Sequence, residues 1–149
     1  MSETRRDMVH APAMPALAEE RTPHTEPFWE AARQHRLVVP RCAHCGAYSM
    51  PPKGFCPSCR RQDQHFVEVS GRATLYSFTV VRHAVIPALA ERVPYVLAIV
   101  KLSDAHDLKM LSNIVDCELK DIRIDQQLQV VFQDQADGVT VPRFRPVQP

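Results

Sequence analysis

Glycine is scarce in this chain, with four in 149 residues. A phosphate-cradling loop needs several, because only a residue without Cβ lets backbone N–H groups close around an anion. The low count excludes a nucleotide-binding loop of that kind. Neither Gly-x-Ser-x-Gly nor a metalloprotease His pair occurs. The seven histidines are scattered, and none pairs recognisably with a nucleophile, so no catalytic residue is assigned. His83 and His106 fall in expected loops and read as solvated. No apolar run approaches the roughly 18–20 residues that span a bilayer. Between Met1 and Ala18, Glu3, Asp7, His10 and two prolines interrupt any signal-peptide core. The expectation is a cytoplasmic chain with no membrane association.

Composition is that of one to two small globular domains, 45% apolar and 23% charged. The net charge of +1 conceals a division. Six Arg/Lys (Arg33, Arg36, Arg41, Lys53, Arg60 and Arg61) face one acid, Asp63, between Arg33 and His65. From Phe66 onward nine Arg/Lys meet ten Asp/Glu. The basic stretch reads either as a solvated face or as a contact for phosphates or an acidic partner.

Four of the five cysteines form two C-x2-C pairs, Cys42-Ala43-His44-Cys45 and Cys56-Pro57-Ser58-Cys59, with ten residues between them. Each spacing lets one tight turn aim two thiolates at a common ion. Two such turns complete a tetrahedral sulfur cage suited to Zn2+, with a single redox iron as the alternative. A reducing cytoplasm favours metal over disulfides. Four sulfurs leave no open position, so the metal is expected to be structural. His44 reads as a surface residue and Cys117 as a small packing residue.

Residues 1–24 read as a flexible arm, with a helical turn around Ala16–Arg21. Residues 25–36 form a helix capped by Thr25 and carrying the apolar stripe Phe28, Trp29 and Ala32. That stripe reads as an anchor onto the neighbouring domain or another subunit. Residues 37–65 form a zinc ribbon. There Leu37–Arg41 enters the first knuckle, Gly46 supplies positive φ, and Ala47–Met50 returns as a short strand. A ribbon this small depends on its metal for folding. From 66 to 149 the pattern has period two and runs through about five strands. Thr74–Val81 is long enough to bend and serve two sides of a barrel, and Tyr95–Leu102 is nearly all apolar. Arg82–Arg92 is a long loop, and Asp137-Gly138 marks a hairpin. Five strands fit an OB-type closed barrel better than a sandwich. The expected class is mainly β: a helix, a rubredoxin-like zinc ribbon and a five-stranded OB-fold barrel.

The order of motifs resembles the DUF35 family. It comprises the Phe28-Trp29 helix, the four-cysteine ribbon, Gly71, Tyr76-Ser77-Phe78-Thr79-Val80-Val81, Pro94-Tyr95-Val96, Leu111-Ser112-Asn113 and Phe144-Arg145-Pro146. The likeness runs from Pro27 to Pro146 and leaves out Met1–Arg21. It implies a zinc-binding accessory subunit that pairs with a thiolase-superfamily enzyme, such as a thiolase, an acyltransferase or a steroid side-chain aldolase. It further implies a heterotetramer and an acyl-CoA ligand shared with the partner, which would supply the catalytic base and nucleophile. Arg41, Lys53, Arg60 and Arg61 are then candidates for the CoA phosphates. The rival reading is a single-stranded nucleic-acid-binding module, with Tyr76, Phe78 and Tyr95 stacking bases. The slightly acidic barrel stretch argues against it, since such a groove needs sustained positive potential. The same aromatics fit core positions on alternating strands.

Overall fold

The computed structural model describes residues 22–147 together with Met8, Val9 and Ala11. The helical turn expected at Ala16–Arg21 lies outside the described residues. So does most of the N-terminal arm. Met8 bridges to Glu118, and Val9 is buried, its N–H donating to the Cys117 carbonyl at 3.0 Å.

Helix α1 (Glu26–Arg33) begins after Thr25 at the expected N-cap position, but the Thr25 side chain makes no cap bond to the helix and instead accepts from the Thr22 N–H at 2.9 Å. Phe28, Ala31 and Ala32 recur at the spacing of one helical face, and all three are buried. Trp29 meets Phe28 edge-on at 5.1 Å. The helix ends at Gln34 and His35, the latter with φ of 54°, which turns the chain into β1 (Leu37–Cys42).

The return strand expected at Ala47–Met50 is a single bridge, Arg41 to Tyr48. The antiparallel partner of β1 is instead β2 (Gln64–Val69), in register from Leu37 opposite Val69 to Cys42 opposite Gln64. Phe66, Val67 and Val69 therefore complete the ribbon's sheet before the chain enters the barrel. β1 is buried almost throughout, and Leu37, Val39 and Val69 belong to the same apolar cluster as the barrel core.

Ser70-Gly71 turns the chain into β3 (Arg72–Val81). Gly71 is buried with φ of 74°, and a Cβ there would lie 2.1 Å from Val130 Cγ1. Only glycine suits that site. A 3-10 turn at Pro87–Arg92 lies within the long loop before β4 (Tyr95–Leu102). β5 (Leu108–Ile114), β6 (Gln127–Asp134) and β7 (Thr140–Pro146) follow. The closed barrel has the order β3-β4-β5-β7-β6. As expected of a long strand serving two sides, β3 pairs with both β4 and β6, and Ala73 faces Leu102 and Leu128. Parallel pairing of β5 with β7 at Ile114 and Phe144 closes the ring. Asp137-Gly138 makes the β6–β7 hairpin turn, with Gly138 at φ of 83°.

Inside the barrel Leu75, Val96, Val100, Leu102, Ile114, Leu128 and Phe144 are all buried to 1% exposure or less. Tyr76 is not among them. A bulge between Leu75 and Ser77 breaks the alternation and leaves Tyr76 45% exposed, which corrects the core reading for that residue. Phe78 packs against the core as expected.

Candidate metal centre and adjoining surfaces

The two knuckles repeat one set of backbone bonds. Gly46 N–H donates to the Cys42 carbonyl at 3.0 Å, and Arg60 N–H to the Cys56 carbonyl at 2.9 Å. Cys42 N–H then donates to Ala47 and Cys56 N–H to Arg61, at 2.9 and 2.8 Å. Gly46 and Arg60 hold the same position after the second cysteine, with φ of 74° and 65°. Glycine reaches that conformation without cost, whereas arginine is strained there. The second knuckle therefore depends more on being held from outside.

This doubled turn places the sulfurs of Cys42, Cys45, Cys56 and Cys59 within 4.8 Å of one another. Cys42 to Cys59 and Cys45 to Cys56 are both 3.6 Å apart. A tetrahedron of sulfurs at Zn–S distance has edges of about 3.8 Å. All four are free thiols, far beyond disulfide length. The donor set and its shape fit a structural zinc.

Backbone dipoles prepare the sulfurs for charge. The Cys45 N–H, with that of His44, points at Cys42 and holds its thiol below the usual value despite desolvation. The Cys59 and Ser58 N–H groups bring Cys56 down to about 6. Cys45 accepts a bond from Ala47, yet desolvation and the neighbouring sulfurs push it up to about 12. Four thiols this close titrate as one group, so a cation that replaces their protons resolves the conflict.

The basic residues of the ribbon do different things. Arg41 is half-buried, with Nε donating to the Gly46 carbonyl at 3.3 Å and its guanidinium over the Tyr48 ring. It braces the first knuckle. Lys53, Arg60 and Arg61 are exposed, Arg60 and Arg61 side by side on the second knuckle. His44 is exposed. Cys117 is half-buried against the core, its thiol raised to about 11 by burial and by Asp121 and Asp116. His83 is exposed, whereas His106 meets Tyr48 edge-on at 5.3 Å and ties the β4–β5 turn to the ribbon.

Two features escaped sequence reasoning. Arg143 on β7 is 1% exposed and donates to the side chains of Gln133 and Asn113. Burial lowers its pKa to about 10. A charged letter in a strand reads as solvent-facing, and only the amide partners from β5 and β6 reveal otherwise. The second is an apolar groove of about 370 Å³ between α1, the Met50-Pro51-Pro52 segment and strands β4, β5 and β7. Trp29, Leu97 and Leu111 line it.

Fold and site together define a zinc-ribbon protein with an OB-fold barrel. Residues 29–63 match the ChsH2 rubredoxin-like zinc ribbon domain and residues 66–133 the ChsH2 C-terminal OB-fold domain. The chain is 32% identical over 119 residues to a DUF35 domain-containing scaffold protein of Methanocaldococcus jannaschii, covering 75% of this chain and 82% of that one. It belongs to the DUF35 family. A probable enoyl-CoA hydratase alpha subunit of Thermomonospora curvata is 36% identical over 123 residues, 82% of this chain but only 37% of that relative. Among solved structures, the Ltp2-ChsH2(DUF35) aldolase superposes with a TM-score of 0.76 at 32% identity, covering 89% of this chain and 98% of that one. Among the described residues no helix is long and apolar enough to cross a membrane.

Proposed function

We propose that the chain is a non-catalytic accessory subunit of a cytoplasmic thiolase-superfamily enzyme and helps bind or channel its acyl-CoA substrate. The observation that carries this reading is the match, at 32% identity and over 98% of its length, to a chain of the solved Ltp2-ChsH2(DUF35) aldolase. The name of that structure pairs ChsH2 with Ltp2, and the name of the Thermomonospora relative refers to an enoyl-CoA hydratase. The metal centre supports a scaffold role. A cage closed by four sulfurs offers substrate no coordination position, so zinc there supplies shape and no chemistry. Cleavage or formation of the C–C bond then falls to the partner's residues.

Within this proposal Arg41, Lys53, Arg60 and Arg61 meet the phosphates of CoA, a single nucleotide with concentrated negative charge. Arg41 contributes field only, since its guanidinium already braces the knuckle. Affinity purification of the tagged chain from its host, followed by recombinant reconstitution, tests the pairing. A thiolase-superfamily subunit is expected at equimolar ratio, in a particle with the mass of a heterotetramer. Absence of any such subunit would sink the proposal. The phosphate contacts are tested separately in the reconstituted pair. Lys53→Glu with Arg60→Glu and Arg61→Glu should weaken acyl-CoA binding about tenfold or more. Unchanged affinity removes those residues from the ligand site.

A further inference from the structure

The outer face of β4 is apolar where a solvated barrel strand would be polar. Val96, Ala98, Val100 and Leu102 point inward and are buried. The alternate residues Tyr95, Leu97 and Ile99 are apolar or aromatic as well. An antiparallel strand with one face in water normally alternates, and apolar character on both faces marks a strand covered on both. Here the second cover is incomplete: Leu97 is 37% exposed, and Leu111 on the neighbouring β5 is 65% exposed. The register sets Ile99 opposite Leu111, which makes one stripe across the two strands. The stripe runs into the apolar groove beside Phe28 and Trp29.

The other end of the stripe is positively charged. Lys101 and Lys109 are register partners, and like charges directly opposite one another destabilise a sheet. Their ammonium groups lie 5.9 and 4.1 Å from the centre of the exposed Tyr76 ring. Among the described residues neither has a carboxylate within ion-pair distance. An apolar stripe that ends in two unneutralised lysines calls for a ligand that is apolar along its length and acidic at one end.

We propose that the outer face of β3–β5 is the surface on which the partner enzyme seats an apolar segment ending in carboxylates. The inference rests on the accessory-subunit reading and names the face through which it acts. Leu97, Leu111 and Trp29 take the apolar side chains. Lys101 and Lys109, held by Tyr76, take the carboxylates. Burying exposed leucines supplies the affinity, and the lysines supply orientation and encounter rate.

The test is titration calorimetry on the reconstituted pair. Leu111→Asp is expected to weaken the complex at least tenfold, as loss of a central interface anchor does. The double variant Lys101→Glu/Lys109→Glu should weaken it several-fold and flatten its salt dependence. Val147→Asp, at an exposed apolar position beside β6 and β7, should bind as the parent does. Leu111 is mostly solvated, so its variant should melt with the parent, which separates lost docking from lost folding. Parental affinity in Leu111→Asp overturns the surface and leaves the accessory function standing. No complex with the parent chain overturns both. If sedimentation shows the chain dimerising through this face, or a dT oligonucleotide displaces the enzyme from it, the occupant is different and the proposal fails.

Discussion

Between Cys42 and Asp63 the buried residues are Cys42, Ser49 and Cys56, while the barrel buries a dense set of Leu, Val, Ile and Phe. The knuckles keep their shape through local turns and four converging sulfurs, the barrel through apolar area removed from water. Between them lies a base, β1 and β2, whose Leu37, Val39 and Val69 share the barrel's apolar cluster. The boundary of mechanism therefore falls at Cys42 and Gln64, inside the ribbon. Metal and core should fail separately, at different places and under different stresses.

Metal removal gives the largest expected effect. Stripping zinc with a chelator, or replacing Cys56 with Ser, should cost the knuckles on the order of 10 kcal/mol of local folding free energy. Amide exchange is expected to accelerate between Cys42 and Asp63 while amides of Val39, Val67 and the barrel stay protected. Elemental analysis should find about one zinc per chain beforehand. If the barrel amides lose protection together with the knuckles, the two regions are one cooperative unit.

Phe144→Ala probes the other side. Its ring is wholly buried where β7 closes the barrel on β5 and β6. A loss of about 3–5 kcal/mol in urea unfolding is expected. Cobalt substituted for zinc should keep its tetrahedral thiolate spectrum until the barrel itself unfolds. Gly71→Ala strikes the joint between the two regions. The new Cβ meets Val130 in a left-handed backbone, so a loss of about 2–4 kcal/mol follows. Unfolding should remain a single transition, because Gly71 belongs to the base and the barrel alike. A stability change below about 0.5 kcal/mol would mean that β6 yields freely at Val130.

What was legible in the sequence was local. C-x2-C spacing announces a knuckle because each turn closes within four residues, and Gly46 after Cys45 carries its own conformational reason. The barrel strands announced themselves by alternation, except β4, which did so by its apolar run. Partner choice was not legible, since Phe66–Val69 alternates identically whether it pairs with β1 or enters the barrel. Distant register decided for β1, with Leu37 opposite Val69. The exposure of Tyr76 stayed hidden for a similar reason: a bulge costs one residue of phase and leaves no mark in composition. Arg143 and the groove needed three strands and a helix to be brought together before either existed.

The smallest expected effect lies where the helix end touches the barrel. His35 Nε2 sits 3.0 Å from both carboxylate oxygens of Asp134, and its ring stacks on Phe132 at 5.3 Å. Thr140 Oγ1 donates to the same carboxylate at 2.7 Å. The His35 hydrogen bond, ahead of the one from Thr140, holds the Asp134 carboxyl below its ordinary range. A carboxyl with a folded-state pKa below the unfolded one, about 3.9, adds stability above that unfolded value. The contribution is lost as pH falls through the lower folded value. Both side chains are largely solvated, so water and salt screen the contact and its share is small. Asp134→Asn should therefore leave the melting temperature slightly lower at pH 7 and converge on the parent in strong acid. Protons compete for the zinc thiolates over the same acid range, so the informative quantity is the difference between the two proteins at each pH. A difference that stays constant down to pH 2 would mean that Asp134 holds the helix end by shape alone. In that case the acid sensitivity of the whole chain belongs to the sulfur cage.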